Sequence, residues 1–277
     1  MKNLLILFTF FYGTISAQAP SCCGPSVNDR NNLLAMNEEF AKTHLPPTPF
    51  VLEGGKGNMI EFKTGDGKTA RAYLVKSDKP TDKVLFIFHE WWGLNDYMKQ
   101  EAEKYKSELG NVNVYAIDLY DGNVATTVPD AQKYMGGLKE ERAKAIIQGA
   151  VTLVGKDAKI ATIGWCMGGA WSLQSALLEG KQAVGCVMYY GMPEKNIIRL
   201  KTLNCDVMGV FGTQDNFINP EVVKQFEADM KAAGKKLTVY NYDAVHAFAN
   251  PSNPEFNKEY SEDAHAKALA YLKGKLK

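Results

Sequence analysis

From Asn58 onward the sequence alternates short β-rich apolar runs with helical stretches of ten or more residues, and few architectures accommodate that alternation. Val84 to His89 (VLFIFH) is apolar without interruption, as a strand covered on both faces must be. Val112 to Asp118, Ile160 to Ile163, Val184 to Tyr190, Asp206 to Phe211 and Leu237 to Tyr242 read as further strands. Between and after them come helical patterns over Asp96 to Leu109, Lys139 to Gly155, Gly168 to Leu178, Pro220 to Ala233 and Glu259 to Leu276. Gly110 stops the first of these, and Asn219 with Pro220 opens the fourth as cap and first-turn proline. Strands separated by such helices cannot be joined by hairpins. The spacing therefore predicts an α/β domain with a mainly parallel sheet and helices on both faces. Ahead of it, Met59 to Thr64 and Thr69 to Lys76 alternate around Gly65-Asp66-Gly67-Lys68 and predict an N-terminal hairpin.

The 277 residues, 45% hydrophobic and 23% charged, are enough for one large domain with its own core. With 32 Lys and Arg against 31 Asp and Glu, there is no basic excess for a nucleic-acid partner. Lys2, the apolar run Leu4 to Tyr12 and the small residues of Gly13 to Ala19 read as a secretory signal peptide over residues 1–17, too short to span a bilayer. The expected product is exported, periplasmic or secreted, without membrane insertion. Cys22 could alternatively carry a lipid, but Ala19-Pro20-Ser21 lacks the leucine that signal needs. Residues 18–57 read as an extension packed onto the domain, with one short helix at Asn32 to Lys42, and residues 58–277 as the domain itself. Five cysteines are an odd number, so at least one thiol stays unpaired. Cys22 and Cys23 are adjacent and each could pair elsewhere after export, while Cys186 and Cys205 read as small buried hydrophobes.

Gly164-Trp165-Cys166-Met167-Gly168-Gly169 falls between a strand and a helix. A nucleophile on so tight a turn needs small residues two positions to either side, and the helix N-terminus that follows favours a thiolate. A thiol also needs a base, and the base an orienting carboxylate. Four histidines limit the search. His44 in the extension and His265 among charged residues are expected at the surface and dispensable for turnover. His89-Glu90-Trp91-Trp92-Gly93 lacks the second histidine of a zinc-protease helix. His246 follows the last strand, and Asp215 follows the strand ending at Phe211. Cys166, Asp215 and His246 thus come in the order nucleophile, acid, histidine, each at the strand end where parallel sheets place their sites. No phosphate-cradling glycine motif or ligand cluster implies a cofactor or a metal.

The elbow GWCMGG, the strand end FHEWWG, the segment AIDLYDG, the GTQD turn and the HAF histidine together resemble the dienelactone hydrolase family, over roughly Met59 to Leu272. The resemblance implies an α/β-hydrolase fold and cysteine-dependent hydrolysis of a small-molecule ester or lactone. By that likeness Cys166 is the nucleophile, His246 the base and Asp215 its orienter. Glu90 matches a glutamate that helps control the thiol's ionisation, and the backbone N–H groups of Trp91 and Met167 match an oxyanion hole. Trp92, Tyr120 and Phe248 are the expected apolar walls of the substrate pocket. The chain departs from the family where arginines hold a substrate carboxylate: Asp121-Gly122-Asn123 follows Tyr120, and Asn250 stands four residues beyond His246. An uncharged ester or lactone fits that change better than dienelactone itself. Competing readings are an exported binding protein that has lost turnover, and a thioesterase or peptidase on the same scaffold. The sequence does not specify an oligomeric state.

Overall fold

The computed structural model describes residues 24–251, 253 and 255–277. The expected signal peptide and the Cys22-Cys23 pair lie outside them. Eight strands form one sheet: β1 (Asn58–Lys63), β2 (Thr69–Val75), β3 (Lys83–Phe88), β4 (Asn113–Asp118), β5 (Lys159–Trp165), β6 (Ala183–Tyr189), β7 (Val207–Gly212) and β8 (Leu237–Tyr242). Their order is β1-β2-β4-β3-β5-β6-β7-β8. The hairpin strands β1 and β2 pair antiparallel, β2 joins β4 antiparallel, and every pairing from β4 to β8 is parallel. The hairpin strand β1 forms one edge of the sheet, and β3 to β8 all run in the same direction, so the strand ends beyond β3, β5, β7 and β8 share one rim.

Helices cover the sheet because the central strands have no wet face. β3 and β5 are buried at every residue after the first, and β7 throughout. The helices are α1 (Val27–Ala35), α2 (Glu38–Lys42), α3 (Asp96–Leu109), α4 (Val128–Gly137), α5 (Glu140–Val154), α6 (Met167–Leu178), α7 (Ile197–Lys201), α8 (Pro220–Ala232) and α9 (Lys258–Lys275). α6 is apolar nearly all round and buried over its first ten residues, as a helix wedged behind the central strands must be.

Three elements differ from the sequence expectation. The helix expected over Asn32 to Lys42 is two helices, because Asn37 leaves helical geometry and its side chain accepts the Phe40 N–H at 3.0 Å as the cap of α2. α4 was hidden by its Gly136-Gly137 end and is instead secured by the Thr127 cap and Pro129 in its first turn. α7, five residues long, rests on the double cap from Asn196. Residues 28–35 are hydrogen-bonded to distant parts of the chain. Asn28 Nδ2 donates to Leu138 O at 2.9 Å, Gln132 Nε2 to Ala35 O at 3.1 Å, and Arg30 Nη2 to Pro193 O at 2.6 Å.

Candidate active site

Cys166 sits between β5 and α6 with φ 54° and ψ −121°, a backbone conformation that L-residues adopt only under constraint. The constraint is the crossing of strand and helix. A Cβ on Gly164 would stand 2.1 Å from Gly168 O, and one on Gly168 would stand 2.2 Å from Phe88 O. Both glycines are therefore required by contact, and Cys166 takes the strain between them. Its N–H donates to Tyr189 O and its carbonyl accepts from Gly169 and Ala170, which fixes the turn from both sides. Met167 is the first residue of α6, so its N–H has no intrahelical acceptor. Trp91 lies on the turn after β3, where the Gly93 N–H closes onto Glu90 O.

Asp215 and His246 come from the turns after β7 and β8. Asp215 Oδ1 accepts the Phe217 and Ile218 N–H groups at 2.8 and 3.0 Å, leaving Oδ2 to accept His246 Nδ1–H at 2.6 Å. Both residues are buried. Burial raises the Asp215 pKa, but the imidazole charge and three hydrogen bonds outweigh it and hold the carboxyl below its ordinary range. Burial opposes a charge on His246, yet Asp215 and the charge on Cys166 outweigh it and hold the ring well above its ordinary value. One ring nitrogen of His246 and the Cys166 sulfur lie within 4.8 Å of each other. His246 Nε2 has no hydrogen-bond partner among the described residues, so its link to the sulfur is electrostatic in this geometry.

His44 departs most from the sequence reading. It is not at the surface: it is 3% exposed, its ring centroid 5.4 Å from that of His246 and 4.5 Å from that of Trp91. The extension carries it there because α2 buries Phe40 completely against Trp91, Phe217 and His246. His44 then follows four residues later on the same face. Burial, with the charge of His246 adding to it, lowers its pKa to about 3, so the ring is neutral. The second surface expectation is corrected too. His265 is partly buried, with Nε2 2.6 Å from Glu108 Oε2 and its ring against Tyr105. His89 is a satisfied core residue: Nδ1 donates to Glu90 O at 2.6 Å and Nε2 accepts the Leu119 N–H at 3.1 Å.

Glu90 is buried and its carboxyl is pushed up to about 7 by desolvation, against the lowering effects of His246 and of Asn250. Asn250, which stands where the resemblance has an arginine, donates from Nδ2 to Glu90 Oε2 at 2.8 Å. Tyr190, at φ 37°, brings its ring within 5.0 Å of the His246 ring; the sequence reading passed over it as the end of a strand. Of the expected pocket walls, Trp92 stands edge-on to Trp91, and Tyr120 donates its hydroxyl to Met167 Sδ at 3.3 Å. Phe248 is fully buried among Tyr190, Tyr242 and Tyr260, in the core rather than on a wall. A cavity of about 430 Å³ beside His246 is lined by Lys42, Thr43 and Leu45 from the extension and by Gln214, Asn216 and Phe217 from the domain.

The family model described as the dienelactone hydrolase family matches residues 70–276. A carboxymethylenebutenolidase from a Pseudomonas species is 35% identical over 232 residues, 79% of this chain and 94% of that protein. The dienelactone hydrolase of Anabaena variabilis superposes with a TM-score of 0.59 at 16% identity, covering 80% of this chain and 98% of that one. A dienelactone hydrolase-like promiscuous phosphotriesterase from metagenomic libraries gives a TM-score of 0.66 at 18% identity, covering 80% and 100%.

Proposed function

The chain belongs to the dienelactone hydrolase family and is an ester hydrolase, and within that class we propose that it cleaves an uncharged small-molecule ester or lactone through Cys166, His246 and Asp215. The observation that carries this reading is the 2.6 Å bond from His246 to Asp215 behind a ring nitrogen that approaches the sulfur of a strained strand-to-helix turn. Asp215 fixes the tautomer that leaves Nε2 toward the thiol. His246 Nε2 takes the Cys166 proton before attack, giving the imidazolium that Asp215 stabilises, and the thiolate sulfur then attacks the carbonyl carbon. The oxyanion is held by the N–H groups of Trp91 and Met167, each worth about 3 kcal/mol in comparable sites. His246 returns the proton to the departing alkoxide, then deprotonates the water that releases the acid from the thioester. For a lactone the alcohol stays tethered to the product.

The preference for an uncharged substrate rests on the two missing arginines. Asp121-Gly122-Asn123 supplies no cation after Tyr120, and Asn250 is bonded to Glu90. Export rests on the Lys2, Leu4 to Tyr12 and Gly13 to Ala19 pattern. Hydrolysis of a short-chain p-nitrophenyl ester is expected from the native chain, lost in Cys166→Ala and after treatment with iodoacetamide. Retained turnover in Cys166→Ala overturns the assignment. A reactive thiol without turnover on a panel of esters, lactones, thioesters and amides overturns it in favour of a binding protein.

A further inference from the structure

The proposed mechanism uses one of the two imidazoles beside Cys166. The second, His44, has its Nε2 buried with no hydrogen-bond partner among the described residues, a condition that disfavours the folded chain unless something else engages the atom. His246 Nε2 is in the same condition. Two imidazole nitrogens without hydrogen-bond partners beside a cysteine sulfur, in one buried site, are an arrangement with a chemistry of its own.

We propose that Cys166, His246 and His44 form a binding site for one borderline-soft divalent cation of the zinc class, with the thiolate sulfur and the two Nε2 atoms as ligands. The sulfur and one nitrogen of each ring lie within 4.8 Å of one another. Both Nδ1 atoms are already engaged, so Nε2 is the ligating atom of each ring. His44 Nδ1 donates to Phe40 O at 2.8 Å, since a carbonyl can only accept, and His246 Nδ1 donates to Asp215 Oδ2 at 2.6 Å. A metal-binding histidine characteristically gives its other N–H to a backbone carbonyl or a carboxylate, and here one ring has each kind of partner. That orientation is set before any cation arrives.

The separations need modest contraction, because a tetrahedral zinc site with bonds of about 2.0–2.3 Å has ligand–ligand edges of roughly 3.3–3.7 Å. Rotation of the Cys166 side chain and a small advance of α2 supply it. Thiolate with two imidazoles selects zinc-class cations over magnesium or calcium, which require oxygen ligands. Three protein ligands leave the fourth position open for water. Cys166 Sγ and His246 Nε2 share one proton between them; as the cation bonds to both atoms that proton is released to buffer, leaving a thiolate and a neutral imidazole as ligands. Resting on the hydrolase reading, the consequence is regulatory: a cation held on Cys166 Sγ and His246 Nε2 occupies both the nucleophile and its base, so bound metal and turnover exclude each other.

The test is titration of the reduced full-length chain with Co2+, in parallel with a Cys22→Ser/Cys23→Ser variant that removes the other adjacent thiols. The expected result is one Co2+ per chain in both, with a thiolate-to-cobalt charge-transfer band that Zn2+ displaces. Cys166→Ala should abolish the band, and both His44→Ala and the bulkier His44→Gln should weaken cobalt binding at least about tenfold. Circular dichroism on each variant verifies that it is folded. Absence of the band, its loss in the Cys22→Ser/Cys23→Ser chain, or unchanged affinity in both folded His44 variants overturns the site. None of these readings needs turnover. A chain that shows the band but hydrolyses nothing keeps the metal site and loses the hydrolase assignment, and the converse result does the reverse.

Discussion

At the scale of single residues, the site is a set of side chains whose ionisation is decided by burial and by one another. Asp215 is held ionised by the imidazole and by two backbone N–H groups, so an amide in its place would keep the fold of the turn and lose the charge. Asp215→Asn is therefore expected to lower kcat by about 10³–10⁴, as loss of the correct imidazole tautomer does in comparable triads. The check is steady-state kinetics on the p-nitrophenyl ester, and a loss under tenfold would remove Asp215 from the proposed role. Glu90 gives the pH signature. Its carboxyl, raised by burial to about 7, turns from neutral to charged as pH climbs through neutrality, and that charge favours the His246 imidazolium. The pH profile of Cys166 alkylation by iodoacetamide should carry an inflection near 7 that Glu90→Gln removes. Asn250→Ala takes away a donor that favours the carboxylate, so it should move that inflection to higher pH. An inflection that moves down or stays in place would show that Asn250 does not control Glu90.

At the scale of elements, the decisive piece is α2, five residues that bring Phe40 and His44 over the thiol. Cys166 is 3% exposed, and the Phe40 ring closes the space between Trp91, Phe217 and His246. Phe40→Ala empties a buried aromatic site, which costs about 3–5 kcal/mol of stability. It is also expected to speed alkylation of Cys166 at least about tenfold under native conditions, because the cover over the sulfur is removed. Alkylation rates measured by mass spectrometry beside a urea melt separate the two effects, and an unchanged rate would show that α2 does not gate the thiol. This element also marks where sequence reading stops. The elbow was legible because Gly164 and Gly168 are demanded by local contact, and Asp215 and His246 because each follows its strand within a few residues. His44 was not, since its place depends on how the extension docks: Asn28 onto Leu138 and Arg30 onto Pro193, contacts more than a hundred residues apart in sequence that no periodicity encodes. Phe248 misled for the opposite reason. It adjoins His246 in sequence, but Ala247 turns at φ 60° and sends the ring into the core.

At the scale of the whole molecule, the parallel direction of β3 to β8 followed from the strand–helix alternation, because each crossover is long enough to return over a sheet face. Their order β4-β3-β5-β6-β7-β8 comes from the structure alone. That construction makes α6 the central support, buried behind β3, β5 and β6, and its C-terminal end carries a charge problem unrelated to the active site. Glu179 caps α6 and is 4% exposed; Ser175 donates its hydroxyl to Oε1 at 2.6 Å, while Oε2 has no partner among the described residues. Burial pushes this carboxyl up to about 8, and the Ser175 bond lowers it only in part. The sign follows from linkage. The folded chain favours the neutral carboxyl and the unfolded chain releases the proton near the ordinary value of 4.5. Stability from this group is therefore complete below about pH 4.5, falls as pH rises, and is gone once pH passes about 8. Across that window the change is on the order of 3–5 kcal/mol. Glu179→Gln keeps an acceptor for Ser175 and cannot ionise, so it should match the native chain at about pH 4 and exceed it increasingly up to pH 8. Urea midpoints at closely spaced pH values measure the difference directly. A difference that is flat across the window would show that Glu179 is hydrated in the folded chain, and that the C-terminal end of α6 opens to water in solution.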